Sequence, residues 1–136
     1  MTSPVAAGPN TFAEAIDVVA ETYEFMLAYA AQGRRREEED AGAGVRERLA
    51  RAEAALAIIA SANATALGAA AQGSAAGEFF DVVKQDAARA RAAFRFVLAQ
   101  PSIGSQIVDN LNATTHVRTL LTDLFLLDEA LKLSGI

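Results

Sequence analysis

The sequence predicts an all-α fold, an antiparallel up-down bundle of four helices. Apolar residues recur three and four positions apart through most of the chain, and this spacing places side chains on one face of a helix. The segments between these stretches are short, which favours antiparallel neighbours. We expect helices at about 11–39, 45–71, 78–99 and 102–133, after an irregular N-terminal lead-in at 1–10.

The first predicted helix has signals for both its start and its end. Thr11 is followed three positions later by Glu14, which is the spacing of a capping box. Opposite charges stand three and four positions apart in 34–40, a spacing that supports a helical extension into solvent. Gly42 and Gly44 then break the pattern, so we expect the helix to end near residue 39.

The two middle helices are delimited by small and conformationally restricted residues. The apolar stripe of the second helix begins at Val45, and a run of small residues continues the helix to residue 71. The glycine-containing stretch 72–77 predicts a turn. The third helix is expected to stop before Pro101, because proline disfavours helical backbone at the residue that precedes it.

The fourth predicted helix, 102–133, carries the most strongly apolar stripe, which includes Leu120 and Leu124. We expect residues 11–136 to form a single domain, since a chain of 136 residues can bury a core without a metal or a disulfide. Hydrophobic residues make up 52% of the chain and charged residues 21%, a composition that excludes a disordered chain.

Composition and charge also exclude several classes of function. The chain has no cysteine, which excludes disulfides, thiolate metal sites and cysteine nucleophiles. Its net charge of −5 argues against nucleic-acid binding, because that affinity comes largely from Lys and Arg side chains at phosphates. No apolar run approaches the roughly 18 residues that span a bilayer. Residues 1–10 lack the features of a secretion signal, so we expect a soluble, cytoplasmic protein.

His116, the one histidine of the chain, is the residue most open to a chemical interpretation. Histidine phosphotransfer domains use a helical histidine in an acidic four-helix bundle, which makes His116 a candidate phosphoacceptor. Those domains typically carry a lysine and small residues after the histidine, whereas Arg118, Thr119 and Leu120 follow here. The alternative is a partly exposed histidine on a polar face. One histidine cannot supply the paired Glu-x-x-His motifs of a di-iron bundle, and we expect no metal, no cofactor and no catalytic residue.

Acidic and basic residues are concentrated on different predicted helices. Up to Gly33, the first helix carries four acids and no base, whereas basic residues follow one side of the third helix. If these helices are diagonal in the bundle, their complementarity acts between subunits, where it sets register and specificity. Ordinary solvated faces are the alternative. The candidate interaction residues are Glu14, Asp17, Glu21, Glu24, Phe25, Tyr29, Lys84, Arg91 and Arg95.

The aromatic residues exceed what the inner stripes can hold, and this surplus underlies the functional prediction. The set that cannot all face one core is Phe25, Tyr29, Phe80, Phe96 and Phe125. Apolar surface beyond the core favours burial against a partner protein or a second copy of the chain. The sequence therefore predicts a non-enzymatic interaction protein: a homo-oligomer, an adaptor, a chaperone or an assembly factor. Two alternatives are a phosphotransfer module that uses His116 and a bundle that binds a small molecule between its helices.

Overall fold

A computed structural model of the chain describes residues 11–37, 44–63 and 74–133. Within these ranges the fold is all-α, as predicted, with five helices and no strand. The predicted count of four helices is not confirmed, because the fourth is divided into two. The predicted lead-in at 1–10 lies outside the described residues. The helices are α1 (Phe12–Ala31), α2 (Val45–Ser61), α3 (Ser74–Leu98), α4 (Ser105–Ala113) and α5 (Thr115–Leu133).

Helix α1 begins as predicted and ends earlier than predicted. The backbone N–H of Glu14 donates to Oγ1 of Thr11 at 3.0 Å, and the N–H of Thr11 donates to Oε1 of Glu14 at 3.2 Å, which completes the capping box. The helix ends at Ala31, and Gly33 adopts a left-handed φ of 66°. Residues 34–37 are therefore not part of α1, and residues 38 and 39 of the predicted extension lie outside the described residues. The backbone N–H of Arg34 donates to Ser105, the first residue of α4, and that of Glu37 donates to Ser102.

The bounds of α2 and α3 also differ from the sequence-based ones. Helix α2 begins at Val45 as predicted and ends at Ser61, where Ala62 has an extended backbone with ψ 156°. Part of the predicted continuation to residue 71 lies outside the described residues. Helix α3 begins at Ser74, so the last four residues of the predicted turn 72–77 are helical. It ends at Leu98, close to the predicted end.

The fourth predicted helix breaks at Thr114, whose ψ of 143° is extended. The Thr114 hydroxyl and its backbone N–H both donate to the carbonyl of Leu111, at 2.8 and 3.2 Å. A threonine hydroxyl competes in this way with helical hydrogen bonding. The break lets the two halves pack differently, since α4 packs mainly on α1 and α5 mainly on α3. Helix α4 begins at Ser105 and not at residue 102.

The core lies between the inner faces of all five helices. Helix α2 packs against both α1 and α3, and α5 and α4 complete the enclosure. Leu120 and Leu124, assigned to the inner stripe from the sequence, are fully buried. Other fully buried large residues are Met26, Leu49, Leu56, Ile59, Val83 and Val108. In the described part of the chain, no helix has the length and apolar character needed to cross a membrane.

Candidate functional site

Arg46, in the first turn of α2, joins three segments of the chain. Its guanidinium contacts both carboxylate oxygens of Glu37, at 2.8 and 3.0 Å, and donates to the carbonyls of Leu98 and Gln100 at 2.7 and 2.9 Å. These carbonyls lie at the end of α3, where helical partners are missing. Glu37 also accepts a hydrogen bond from the N–H of Ile103 at 3.2 Å. The hydrogen bonds from Arg46 hold the pKa of Glu37 below its usual value.

A second set of hydrogen bonds fixes the start of α4 against the end of α1. Ser105 Oγ donates to the carbonyl of Tyr29 at 2.6 Å and accepts from the N–H of Arg34 at 2.9 Å. The N–H of Ser105 donates to the carbonyl of Arg34 at 2.7 Å. The Tyr29 hydroxyl donates to the carbonyl of Ile103 at 2.6 Å. A Cβ atom at Gly104 would lie 2.5 Å from the carbonyl oxygen of Arg35, so the two backbones meet closely here.

These contacts leave a groove between the end of α1 and the start of α4. Its volume is about 900 Å³, which falls in the range of roughly 300–1,000 Å³ typical of small-molecule sites. The walls combine apolar side chains with polar and charged ones. They include Leu27, Arg34, Arg35, Gln106, Ile107 and Asn110.

The outer surface of α3 and α5 exposes large apolar side chains, although the inner faces of both helices are already filled. Phe96 is 67% exposed, Phe125 60% and Leu126 59%. Val82 is 41% exposed. We call these four the outer apolar residues. Their exposure leaves apolar surface in contact with water, which is unfavourable by about 25 cal/mol for each Å².

Two carboxyl groups meet where α3 packs on α5. Asp86 of α3 and Asp123 of α5 are close enough to interact, and we call them the carboxyl pair. Burial raises the pKa of Asp123 to about 7, with further contributions from the hydrogen bond and the charge of Asp86. Arg89 donates to Oδ1 of Asp86 at 3.0 Å, whereas the buried Oδ2 of Asp123 has no hydrogen-bond partner. This pair was not predicted from the sequence, where the available signal was an acid, Asp123, beside the leucine stripe of α5.

The acidic residues predicted as an interaction stripe on α1 are exposed, and one of them has a local role. Glu14 belongs to the capping box. Asp17, Glu21 and Glu24 are exposed. Phe25 is half-buried, and the guanidinium of Arg48 lies 4.7 Å from the centre of its ring. This face of α1 is therefore partly covered by a cation from α2.

One of the predicted basic interaction residues of α3, Arg91, is paired with an acid of the same chain. Arg91 Nε lies 2.6 Å from Oε2 of Glu53 on α2, so its charge is balanced within the chain. That Arg91 acts between subunits stays a prediction. The Lys84 ammonium lies 6.0 Å from the centre of the Phe80 ring, and Arg95 is exposed.

The predicted aromatic contact residues divide into core and surface. Tyr29 and Phe80 are each 1% exposed, which places both in the interior of the chain. Tyr29 is buried because its hydroxyl has a partner in the carbonyl of Ile103. Phe80 is buried because it packs with Leu127 and Phe12, and its ring centre lies 5.6 Å from that of Phe12. The surplus of aromatic residues therefore reaches the surface at Phe96 and Phe125.

His116 is exposed, in the first turn of α5. Across 11–37, 44–63 and 74–133, no group of three or more His, Asp or Glu side chains is placed to hold a metal ion. Comparisons of the chain with protein families, with curated proteins and with solved structures found no match.

Proposed function

We propose that this chain is a non-enzymatic interaction protein that binds a second copy of itself or another protein through the outer apolar residues of α3 and α5. The observation that carries the proposal is the exposure of Phe96, Phe125 and Leu126 on helices whose inner faces are already packed. Covering such side chains contributes about 25 cal/mol for each Å² of apolar surface removed from water. An adaptor, a chaperone, an assembly factor and a homo-oligomer all use surfaces of this kind.

Helices α3 and α5 offer this surface better than α1 does. The outer face of α1 presents the exposed acids Asp17, Glu21 and Glu24. Charged side chains are depleted at the centre of protein interfaces, where aromatic residues are enriched. We therefore place the centre of the contact on α3 and α5. We expect the acids of α1 to make the strength of this contact depend on salt concentration.

We also propose that neighbouring helices of the fold run antiparallel. Arg46 at the start of α2 bonds to carbonyls at the end of α3. Ser105 at the start of α4 bonds to Arg34, just after the end of α1. In both contacts the start of one helix lies beside the end of another, which supports opposite directions for each pair. A cytoplasmic location remains part of the proposal.

Light scattering over a range of protein concentrations tests the self-associating form of this function. The wild-type chain is expected to increase in mean mass with concentration, and the double variant Phe125→Ser, Leu126→Ser is expected to stay a monomer. Thr119→Ser, an exposed change on the same helix, is the matched control and should associate like the wild type. Association that the double variant retains would contradict the assignment of the surface.

A second candidate function is small-molecule binding in the groove between α1 and α4, and the volume of about 900 Å³ supports it. Native mass spectrometry of the protein purified from its own host tests this candidate. A bound compound that is lost in Ile107→Trp, where the larger side chain fills the groove, would support it. Protein that carries no bound compound would count against it.

The exposure of His116 favours a third candidate, phosphotransfer, because a phosphoacceptor imidazole must be reachable by its donor. Incubation with a receiver domain charged by acetyl phosphate tests it. An acid-labile phosphate that His116→Ala abolishes would support phosphotransfer. Our main proposal predicts no label.

A further inference from the structure

We propose that the outer surface of α3 and α5 binds a second copy of the chain, and that a two-fold axis perpendicular to these helices relates the two copies. A two-fold contact joins the same surface of both copies. In this arrangement α3 packs on α3 of the second copy and α5 on α5 of the second copy, each pair antiparallel. The inference rests on the proposed function, whose partner it names, and on the antiparallel arrangement proposed with it.

Exposed charges of opposite sign lie at the two ends of this surface. Arg118, near the start of α5, and Glu129, near its end, are both exposed. They are eleven positions apart, or about three helical turns, so they lie on the same face of the helix. On α3 the order is reversed, because the exposed acid Glu78 precedes the exposed base Arg89 by the same eleven positions. With α3 and α5 antiparallel, both acids lie at one end of the surface and both bases at the other.

These four charges are accessible to a partner. Glu78, Arg118 and Glu129 form no ion pair with another described residue. Arg89 is bound to Asp86 at 3.0 Å, but its side chain is 55% exposed. The acidic end of the surface therefore has unpaired carboxylates, and the basic end has guanidinium groups that a second copy can reach.

A contact within the chain supports a single axis for both helices. Phe80 of α3 packs with Leu127 of α5, so these two residues lie at about the same level along the helices. The midpoint between the acid and the base of α3 lies three to four positions after Phe80. The midpoint between the base and the acid of α5 lies three to four positions before Leu127. In antiparallel helices the two midpoints share one level, and a two-fold axis there brings every acid opposite the matching base of the second copy.

The outer apolar residues supply the centre of this contact. Val82, Phe125 and Leu126 lie within about 4 Å of the proposed axis, measured along the helices. Phe96 lies nearer the basic end. An apolar centre with charged residues at its edge is the usual composition of a protein interface.

The charge pattern selects this axis over the other two-fold arrangement of the same surface. An axis parallel to the helices would pack α3 on α5 of the second copy and leave the ends of the surface in register. Acids would then face acids and bases would face bases, which is unfavourable. The perpendicular axis reverses the second copy, so unlike charges meet at both ends.

Analytical ultracentrifugation of two charge-reversal variants, alone and mixed, tests the inference. Arg118→Glu and Glu129→Arg each convert two attractive contacts of the dimer into repulsive ones. Each variant alone should therefore self-associate on the order of tenfold more weakly than the wild type. In an equimolar mixture, the substituted position of one chain faces that of the other, so every contact again joins opposite charges. The mixture should associate about as strongly as the wild type.

Arg51→Glu is the matched control, since it is an exposed reversal on α2 with the same change in net charge as Arg118→Glu. It should associate like the wild type. A folding defect would not imitate the expected result, because a misfolded variant would not regain association on mixing.

Two results would overturn the inference and leave the proposed function standing. The first is a wild-type chain that stays monomeric by itself but binds another protein. The second is a wild type that self-associates through Phe125 and Leu126 while both charge reversals associate like it, or while their mixture associates no better than either alone. The double variant Phe125→Ser, Leu126→Ser tests the apolar surface itself, so the two failures are distinguishable.

Discussion

The same substitution, glycine to alanine, is expected to have opposite effects at Gly104 and Gly77. A Cβ atom at Gly104 would lie 2.5 Å from the carbonyl oxygen of Arg35 and 2.9 Å from that of Arg34. Both are backbone atoms, so neither can swing away as the end of a side chain would. At Gly77, inside α3, an added Cβ meets nothing within 4 Å.

The size of the stability change at Gly104 follows from the backbone movement that relieves the clash. Relief of the clash separates the two backbones and stretches the 2.7 Å bond from the N–H of Ser105 to the carbonyl of Arg34. Loss of one or two such hydrogen bonds costs about 1 kcal/mol each, and overpacking adds about 1–3 kcal/mol. Gly104→Ala should therefore lower the free energy of unfolding by about 2–5 kcal/mol. Gly77→Ala should raise it by about 0.5–1 kcal/mol, because alanine favours helix.

Urea unfolding followed by circular dichroism measures both variants against the wild-type chain. The comparison is internal, since both variants add one methyl group to the same protein. Equal changes at the two positions, or a stabilising effect at Gly104, would refute the close approach of the two backbones near the start of α4.

Three further predictions concern the core and the hydrogen bonds that join the loops. Leu124→Ala should lower the free energy of unfolding, measured in urea, by about 2–5 kcal/mol. Glu21→Ala should change it by no more than about 0.5 kcal/mol. Similar values for the two variants would mean that the buried faces are misassigned. Tyr29→Phe should lower the free energy of unfolding by about 1–3 kcal/mol, because the buried carbonyl of Ile103 loses its hydrogen-bond donor. An unchanged urea midpoint would contradict the hydrogen bond from Tyr29 to Ile103. Arg46→Met should lower the free energy of unfolding by about 2–3 kcal/mol at pH 7, after allowance for the partial exposure of the Arg46 side chain. The stability contributed by Glu37 is present above its unfolded pKa and is lost as pH falls through its lowered folded pKa. The difference in stability between the wild type and Arg46→Met should therefore become smaller in acid, and a constant difference would contradict the role of the ion pair.

The features that sequence reasoning placed correctly depend on neighbouring residues. The capping box of Thr11 and Glu14 spans one turn of helix, so its residues alone determine it. The buried leucines at 120 and 124 follow from helical periodicity.

The features that it placed wrongly depend on contacts between distant parts of the chain. Charge spacing in 34–40 favoured a longer α1, but Arg34 and Glu37 bond to Ser105 and Ser102, 71 and 65 positions away. Several hydrogen bonds to a fixed loop outweigh charge pairs on a solvated helix, which contribute about 0.2–0.5 kcal/mol each.

The candidate surface was predictable in kind but not in detail. The surplus of aromatic residues indicated that some must face outward, and Phe96 and Phe125 do. The burial of Tyr29 depends on a carbonyl at Ile103, which no local pattern reveals. Asp86, which interacts with Asp123, lies on another helix. The raised pKa of Asp123 could therefore not be predicted from the sequence either.

Native mass spectrometry of the tagged chain purified from its own host tests the central claim most directly. Three proteins are compared: the wild type, Thr119→Ser, and the double variant Phe125→Ser, Leu126→Ser. We expect the first two to form a complex of defined stoichiometry, with a second copy or with another protein, and the double variant to lose it. A wild-type monomer without a protein partner, or a complex that the double variant retains in full, would contradict the claim that the outer apolar residues of α3 and α5 form a protein-binding surface.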